Sequence, residues 1–149
     1  MHRTFWRASR GFTLMEIMVV TAIIAIATGL AVVGWSGGAQ RQLADEGERL
    51  AMLLEAARLH ARASGQSVRW RATPEGFVFE GRTRHWLNRL PTAWERAGTV
   101  VLQGGDLQLG PEPILPPQSV TLGDRRHPSL RVTIATDGLA PFQVQEATP

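Results

Sequence analysis

The feature that most constrains this chain is an uncharged run, Ile17 to Trp35, set directly behind Arg10-Gly11-Phe12-Thr13-Leu14-Met15-Glu16. Its polar interruptions are Thr21 and Thr28, and its length is close to the ~20 residues a helix needs to cross a hydrocarbon core. Arg3, Arg7 and Arg10 precede it with no acid among them, whereas the far side opens with mixed charges at Arg41, Asp45, Glu46, Glu48 and Arg49. That asymmetry predicts a single-pass segment with its N-terminus in the cytoplasm and the remainder outside. Trp35 falls where an interfacial aromatic belongs.

Glu16 is the anomaly. A carboxylate costs up to about 3 kcal/mol at mid-membrane and is normally retained with a partner. Near a helix start the cost is smaller, because free N–H groups and the positive end of the dipole favour an anion. Two readings stand on the residues alone: a snorkelling interfacial Glu, or a carboxylate neutralised by the amine that cleavage after Gly11 would create on Phe12. An ordinary secretory signal peptide cut near Ala25-Ile26-Ala27 fits badly, since its apolar region spans only about 7 to 15 residues.

The stretch RGFTLMEIMVVTAIIAIATGLAV resembles the leader and N-terminal helix of type IV pilins and type II secretion pseudopilins. The resemblance implies that a prepilin peptidase cuts between Gly11 and Phe12 and N-methylates Phe12, and that Glu16 occupies the charged assembly position. It also implies a bacterial inner-membrane location with a periplasmic C-terminal domain. One departure is the lack of a proline within the apolar helix, since the first proline is Pro74. Gly29, Gly34 and Gly37-Gly38 are the remaining places where the helix can soften.

Of the 149 residues, removing an eleven-residue leader leaves 138. Roughly 110 of these lie beyond the membrane, enough for one domain around one core. The net charge of +3 resides in the three leader arginines, so the processed chain balances 13 basic against 13 acidic residues. Every basic side chain is Arg, which places the pI near 11.2 without implying a nucleic-acid partner. With no Cys, disulfides and cysteine-based metal or nucleophile chemistry are excluded.

Beyond the membrane, Leu43, Gly47, Leu50, Leu54, Ala57 and Ala61 recur at steps of four and three and predict one packing face of a helix over Gln40 to Ala63. Arg41, Glu48, Glu55, Arg58 and Arg62 fall mainly off that stripe. Ser64-Gly65 supplies a stop, with Gly65 as a left-handed cap. The period then becomes two, and Val68 to Ala72 and Phe77 to Glu80 predict a hairpin around a type I turn at Thr73-Pro74-Glu75-Gly76. Further strands are expected at Thr99 to Leu102, Leu107 to Leu109, Ser119 to Leu122, Leu130 to Ala135 and Phe142 to Gln145. Turns separate them at Gly104-Gly105, Gly110 to Pro117, Gly123 to Pro128 and Asp137-Gly138. The fold class is therefore α+β, a long helix on an antiparallel β-sheet domain. Residues 1–11 form the leader, 12–35 the transmembrane helix, 36–64 its amphipathic continuation and 65–149 the β-rich periplasmic domain.

LAMLLEAARLHARASGQSVRW, GFVFEG, GPEPILPPQSVTL and ATDGLAPFQV, in that order, resemble the H-type (GspH-like) minor pseudopilins of type II secretion. Arg82 to Gly98 matches little beyond Trp86. The resemblance implies a structural subunit at or near the tip of a periplasmic pseudopilus that helps export folded proteins. Its partners would be other major and minor pseudopilins, the prepilin peptidase, the inner-membrane secretion platform and membrane lipid.

No catalytic, cofactor or metal site is expected. His2, His60, His85 and His127 are scattered, the glycine pairs lack a phosphate-loop setting, and no Ser sits in a nucleophile elbow. Two basic clusters, Arg82, Arg84, His85, Trp86 and Arg89 and then Asp124, Arg125, Arg126 and His127, combine cations with an aromatic as a nucleic-acid surface does. The balanced mature charge favours a solvated loop or protein interface instead. The alternatives are a minor type IV pilin in assembly, adhesion or DNA uptake, with Arg82, Arg84, Arg125 and Arg126 as nucleic-acid contacts, and a signal-anchored periplasmic enzyme.

Overall fold

The computed structural model describes the backbone of residues 14–82 and 84–145, and their side chains except at 27–36 and 84. The helix α1 runs Leu14–Ser64, followed by β1 (Val68–Thr73), β2 (Gly76–Gly81) and the short helix α2 (Arg84–Leu87). Five more strands follow: β3 (Thr99–Gln103), β4 (Asp106–Gln108), β5 (Gln118–Asp124), β6 (His127–Thr136) and β7 (Gln143–Gln145). All strand pairings are antiparallel, so the α+β class holds. Contacts divide the chain into two compact units, Met1–Gly37 and Gly38–Pro149.

In the second unit the strands form two sheets, ordered β2-β1-β4 and β3-β5-β6-β7. The division occurs at Gly104-Gly105, where the chain leaves β3 in one sheet and enters β4 in the other. Gln118 bridges the sheets: Gln108 N–H donates to its Oε1 at 2.8 Å, and its Nε2 donates to Gln108 O at 2.9 Å. Period-two alternation makes each sheet amphipathic, and the apolar sides meet α1. Leu43, Leu50, Leu54, Ala57 and Ala61 of the helix are fully buried among Val68, Trp70 and Phe77 of one sheet and Val120, Leu122 and Ile134 of the other. Each such large side chain contributes about 1.5 to 3 kcal/mol on burial. At Gly47 an added Cβ would lie 2.8 Å from Val132 Cγ1, so only a hydrogen side chain allows this approach.

Helix α1 ends with Gly65 at φ 63° and Gln66 N–H donating back to Ala61 O, the cap that Ser64-Gly65 predicts. The first hairpin closes between Thr73 and Gly76, and neither Pro74 nor Glu75 has a positive φ, which excludes the primed turns. The turn expected over Gly123 to Pro128 is shorter. Asp124 pairs with His127 across a bulge, leaving Arg125-Arg126 as the loop, because Asp124 Oδ1 accepts the Arg126 N–H at 2.7 Å. Pro128 is tolerated in β6 because β7 pairs only with Thr133 to Ala135.

Two charged side chains of α1, Glu46 and Arg58, are buried. Arg58, expected off the stripe, is fully buried: its guanidinium donates to Ala140 O at 2.9 Å and to Gly138 O. Glu46 accepts Arg49 Nη1 at 2.7 Å and the backbone N–H groups of Glu95 and Arg96 at 3.0 and 3.1 Å. Arg96 in turn donates to Ala39 O and pairs with Asp124 at 3.0 Å. Residues 94–96 and 138–140 are thus held to the helix at two separate places by charge-assisted bonds.

Burial pushes the Asp124 carboxyl up, but the Arg126 N–H and the charges of Arg96 and His127 outweigh it and hold the group below the usual 3.8. Asp137 is also lowered, by the N–H groups of Ala140 and Leu139, with burial opposing and Arg58 assisting. A carboxyl lowered by folding contributes stability that is complete above 3.8 and is lost as pH falls from there through the folded value. Melts of the full-length chain in detergent should lose midpoint below about pH 4. Asp124→Asn should shrink that acid limb while lowering the midpoint at neutral pH. An unchanged limb in the variant would remove Asp124 from this role.

Candidate assembly site

From Leu14 to Ile26 the helix of the first unit presents apolar side chains on every side. All described side chains from Leu14 to Ile26 are exposed in the single chain, nine of them large hydrophobics such as Leu14, Ile17, Val20 and Ile24. Thr21, its polar interruption, turns its hydroxyl inward and donates to Ile17 O at 2.9 Å or Met18 O at 3.0 Å. A helix apolar all round is one that other helices or lipid must cover, and a self-satisfied Thr suits that setting. Glu16 lies exposed in the first turn, where the free N–H groups and the helix dipole favour a carboxylate.

Gly11 and Phe12, the pair expected to be cut and methylated, lie outside the described residues. So do the side chains from 27 to 35 in the predicted span, Trp35 among them. Among the described residues no helix is long and apolar enough to cross a membrane. The backbone is helical through Gly37 and Gly38, where added Cβ atoms would meet nothing within 4 Å.

Of the predicted packing face, Leu43, Leu50, Leu54, Ala57 and Ala61 are fully buried, and Gly47 is buried as well. The opposite side of the same helix carries exposed Met52 and Leu59, seven residues apart and therefore on one face. The two arginine clusters do not converge. Arg82 follows Gly81, at the end of β2 that pairs with Val68, whereas Arg125 reaches Pro74 O in the turn at the other end of the hairpin. Five residue steps separate these ends, about 16 Å of strand. Arg125 and Arg126 are exposed but sit beside Asp124, with His127 Nδ1 3.6 Å from that carboxylate. Arg84 contributes its backbone to α2, and Arg82 is exposed. His60 stacks on Trp86 at 4.2 Å, docking α2 to the helix. Among the described residues no group of three or more acidic or His side chains could hold a metal ion.

The family described as the prokaryotic N-terminal methylation motif matches residues 6–32. The chain carries that motif. It is also similar to Type II secretion system protein H of Pseudomonas aeruginosa, 53% identical over 49 residues at the N-terminal end. The match covers 32% of this chain and 28% of that relative's length. Over this N-terminal end the chain is similar to an H-type pseudopilin. No solved structure matches it.

Sequence reasoning missed Glu46 and Arg58 as structural ties. Position alone could not have found them: each lies one residue from a member of the apolar stripe, Gly47 and Ala57, but so do Glu48, which is exposed, and Arg62, which is half-buried.

Proposed function

We propose that the chain is the precursor of a minor pseudopilin of a type II secretion system, a structural and non-enzymatic subunit at or near the tip of the periplasmic pseudopilus. The observation that supports this most is the helix segment from Leu14 to Ile26, apolar all round, carrying Glu16 in its first turn and lying within the methylation motif. A peptidase removes residues 1–11 and methylates Phe12, and the helix sits once across the inner membrane with Gly38 onward in the periplasm. As a subunit docks, the new amine of Phe12 and the carboxylate of Glu16 neutralise each other within or between chains, offsetting the cost of an intramembrane charge. The apolar helix packs with those of other pseudopilins, and the two-sheet domain supplies lateral specificity. The inner-membrane platform then drives the filament that exports folded proteins.

Deleting this chain in its host should abolish export of secreted enzymes while leaving DNA uptake intact. Lost uptake with normal export would move the chain to the type IV pilin class. Within the same assay Glu16→Ala should insert and be cleaved normally yet fail to rescue export, and full rescue would discard charge pairing as the docking signal. Gly11→Val should leave the precursor uncleaved by mass, and normal processing would relocate the site.

A further inference from the structure

The segment from Arg82 to Ala93, which the function above leaves without a role, frames an unfinished sheet edge. Strand β2 is an edge strand, and its Phe77 N–H points outward to Thr92 O at 2.8 Å, next to a bridge between Gly76 and Ala93. Ala72, opposite Phe77, likewise sends its N–H away to Gly105 O, so Ala72 and Phe77 form a pair without mutual hydrogen bonds. The register runs unbroken, so Phe79 and Gly81 have the same outward orientation. The returning segment covers the edge at Phe77 but bows away beyond it through α2. Among the described residues, nothing accepts from or donates to the outward groups of Phe79 and Gly81. A cavity of about 380 Å³ lies there, between Phe79 to Gly81 on one side and Leu87 and Asn88 on the other.

The chemistry of this gap is specific. Its backbone groups suit an extended chain, and its volume accommodates roughly three residues of one. The positions that flank the lining along the chain are basic: Arg82 follows Gly81 and Arg89 follows Asn88, and these two and His85 are exposed with no carboxylate partner among the described residues, whereas Glu80 is already paired with Arg71. An acidic side chain alternating with small apolar ones would meet the arginines while its backbone continues the sheet. A nucleic acid has the charge but cannot supply a peptide ladder.

We propose that the outer edge of β2 at Phe79 to Gly81, roofed by α2 and flanked along the chain by Arg82 and Arg89, binds an extended acidic segment of a partner protein by strand addition. The full-length chain in detergent would be titrated with a fluorescent peptide of alternating Val and Asp. A Val-Lys peptide and a single-stranded thymidine oligonucleotide serve as comparisons. The expected result is saturable binding of the acidic peptide alone, weakened about tenfold in the double variant Arg82→Glu, Arg89→Glu. Asn88→Trp, which fills the gap without altering charge, should also abolish binding. Amide exchange should slow at Phe79 and Gly81 on saturation and stay constant at Phe77, which is already bonded. Binding that leaves Phe79 and Gly81 unprotected, binding that survives Asn88→Trp, or oligonucleotide competition for the site would each overturn the proposal, as would the absence of peptide binding.

Discussion

Arg58→Ala is expected to lower the stability of the Gly38–Pro149 unit by about 3 kcal/mol, and its melting midpoint by roughly 12 °C. The guanidinium is fully buried and donates to the carbonyls of Gly138 and Ala140, and Glu55 lies 3.6 Å away. The loop it holds is otherwise self-contained: Thr136 Oγ1 donates to Ala140 O, Gly138 N–H donates to Thr136 Oγ1, and Asp137 Oδ1 accepts from Leu139 and Ala140. Truncation therefore leaves the loop folded on itself but unfastened from α1. It also leaves the buried Gly138 carbonyl without its donor and opens a cavity along the lost stem.

Arg58→Met separates these contributions. It keeps most of the apolar stem and removes the donors, and Ala140 O retains Thr136, so the expected loss falls to about 1 to 2 kcal/mol. A methionine variant as stable as the wild type would mean that desolvating the guanidinium offsets all of its hydrogen bonds. An alanine variant within about 1 kcal/mol of wild type would overturn the fastening role altogether. Amide exchange locates the effect, which should appear at Gly138 and Ala140 and in β7 before it reaches β1.

The difference between Arg58 and its neighbours on α1 shows what the sequence made legible. Leu50, Leu54, Ala57 and Ala61 could be placed because burial of an apolar residue is written in its own side chain and repeats with the helix. Arg58 and Glu46 could not, because their partners are main-chain groups of residues 138–140 and 95–96, and a peptide carbonyl or N–H has no sequence signature. The strands were legible by their period of two and the turns by glycine and proline. Their sorting into two sheets was not, since pairing depends on which strand the chain meets after Gly104-Gly105. Arg82 to Gly98 has no period at all. Its order comes from tertiary contacts, His60 on Trp86 and Phe77 on Trp94, with Glu46 gripping the backbone behind. At the N-terminus the reverse holds: the pattern around Gly11, Phe12 and Glu16 is dense in the sequence and falls within the methylation motif over residues 6–32. Under the proposed function it addresses a peptidase, a bilayer and other subunits rather than this fold.

Gly104→Ala is expected to cost about 4 kcal/mol, enough to leave much of the β domain unfolded near 37 °C. Gly104 has φ +73°, where an L side chain costs roughly 1 to 2 kcal/mol. The larger effect is steric. An added Cβ would lie 1.9 Å from Ser119 O and 3.0 Å from Val120 Cα, both main-chain atoms of β5. That strand is paired on both sides, to β3 and β6, so it cannot yield without breaking a ladder. Gly105→Ala is the matched comparison: its φ is not positive, and its added Cβ would meet only Ala72 Cβ, at 3.6 Å. It should stay within about 1 kcal/mol of wild type, as a compatible Gly to Ala change does. Equal losses in the two variants would assign the effect to general stiffness of the turn. A large loss confined to Gly104 would identify that residue as the point where β3 can pass into β4 only because the chain runs directly against β5.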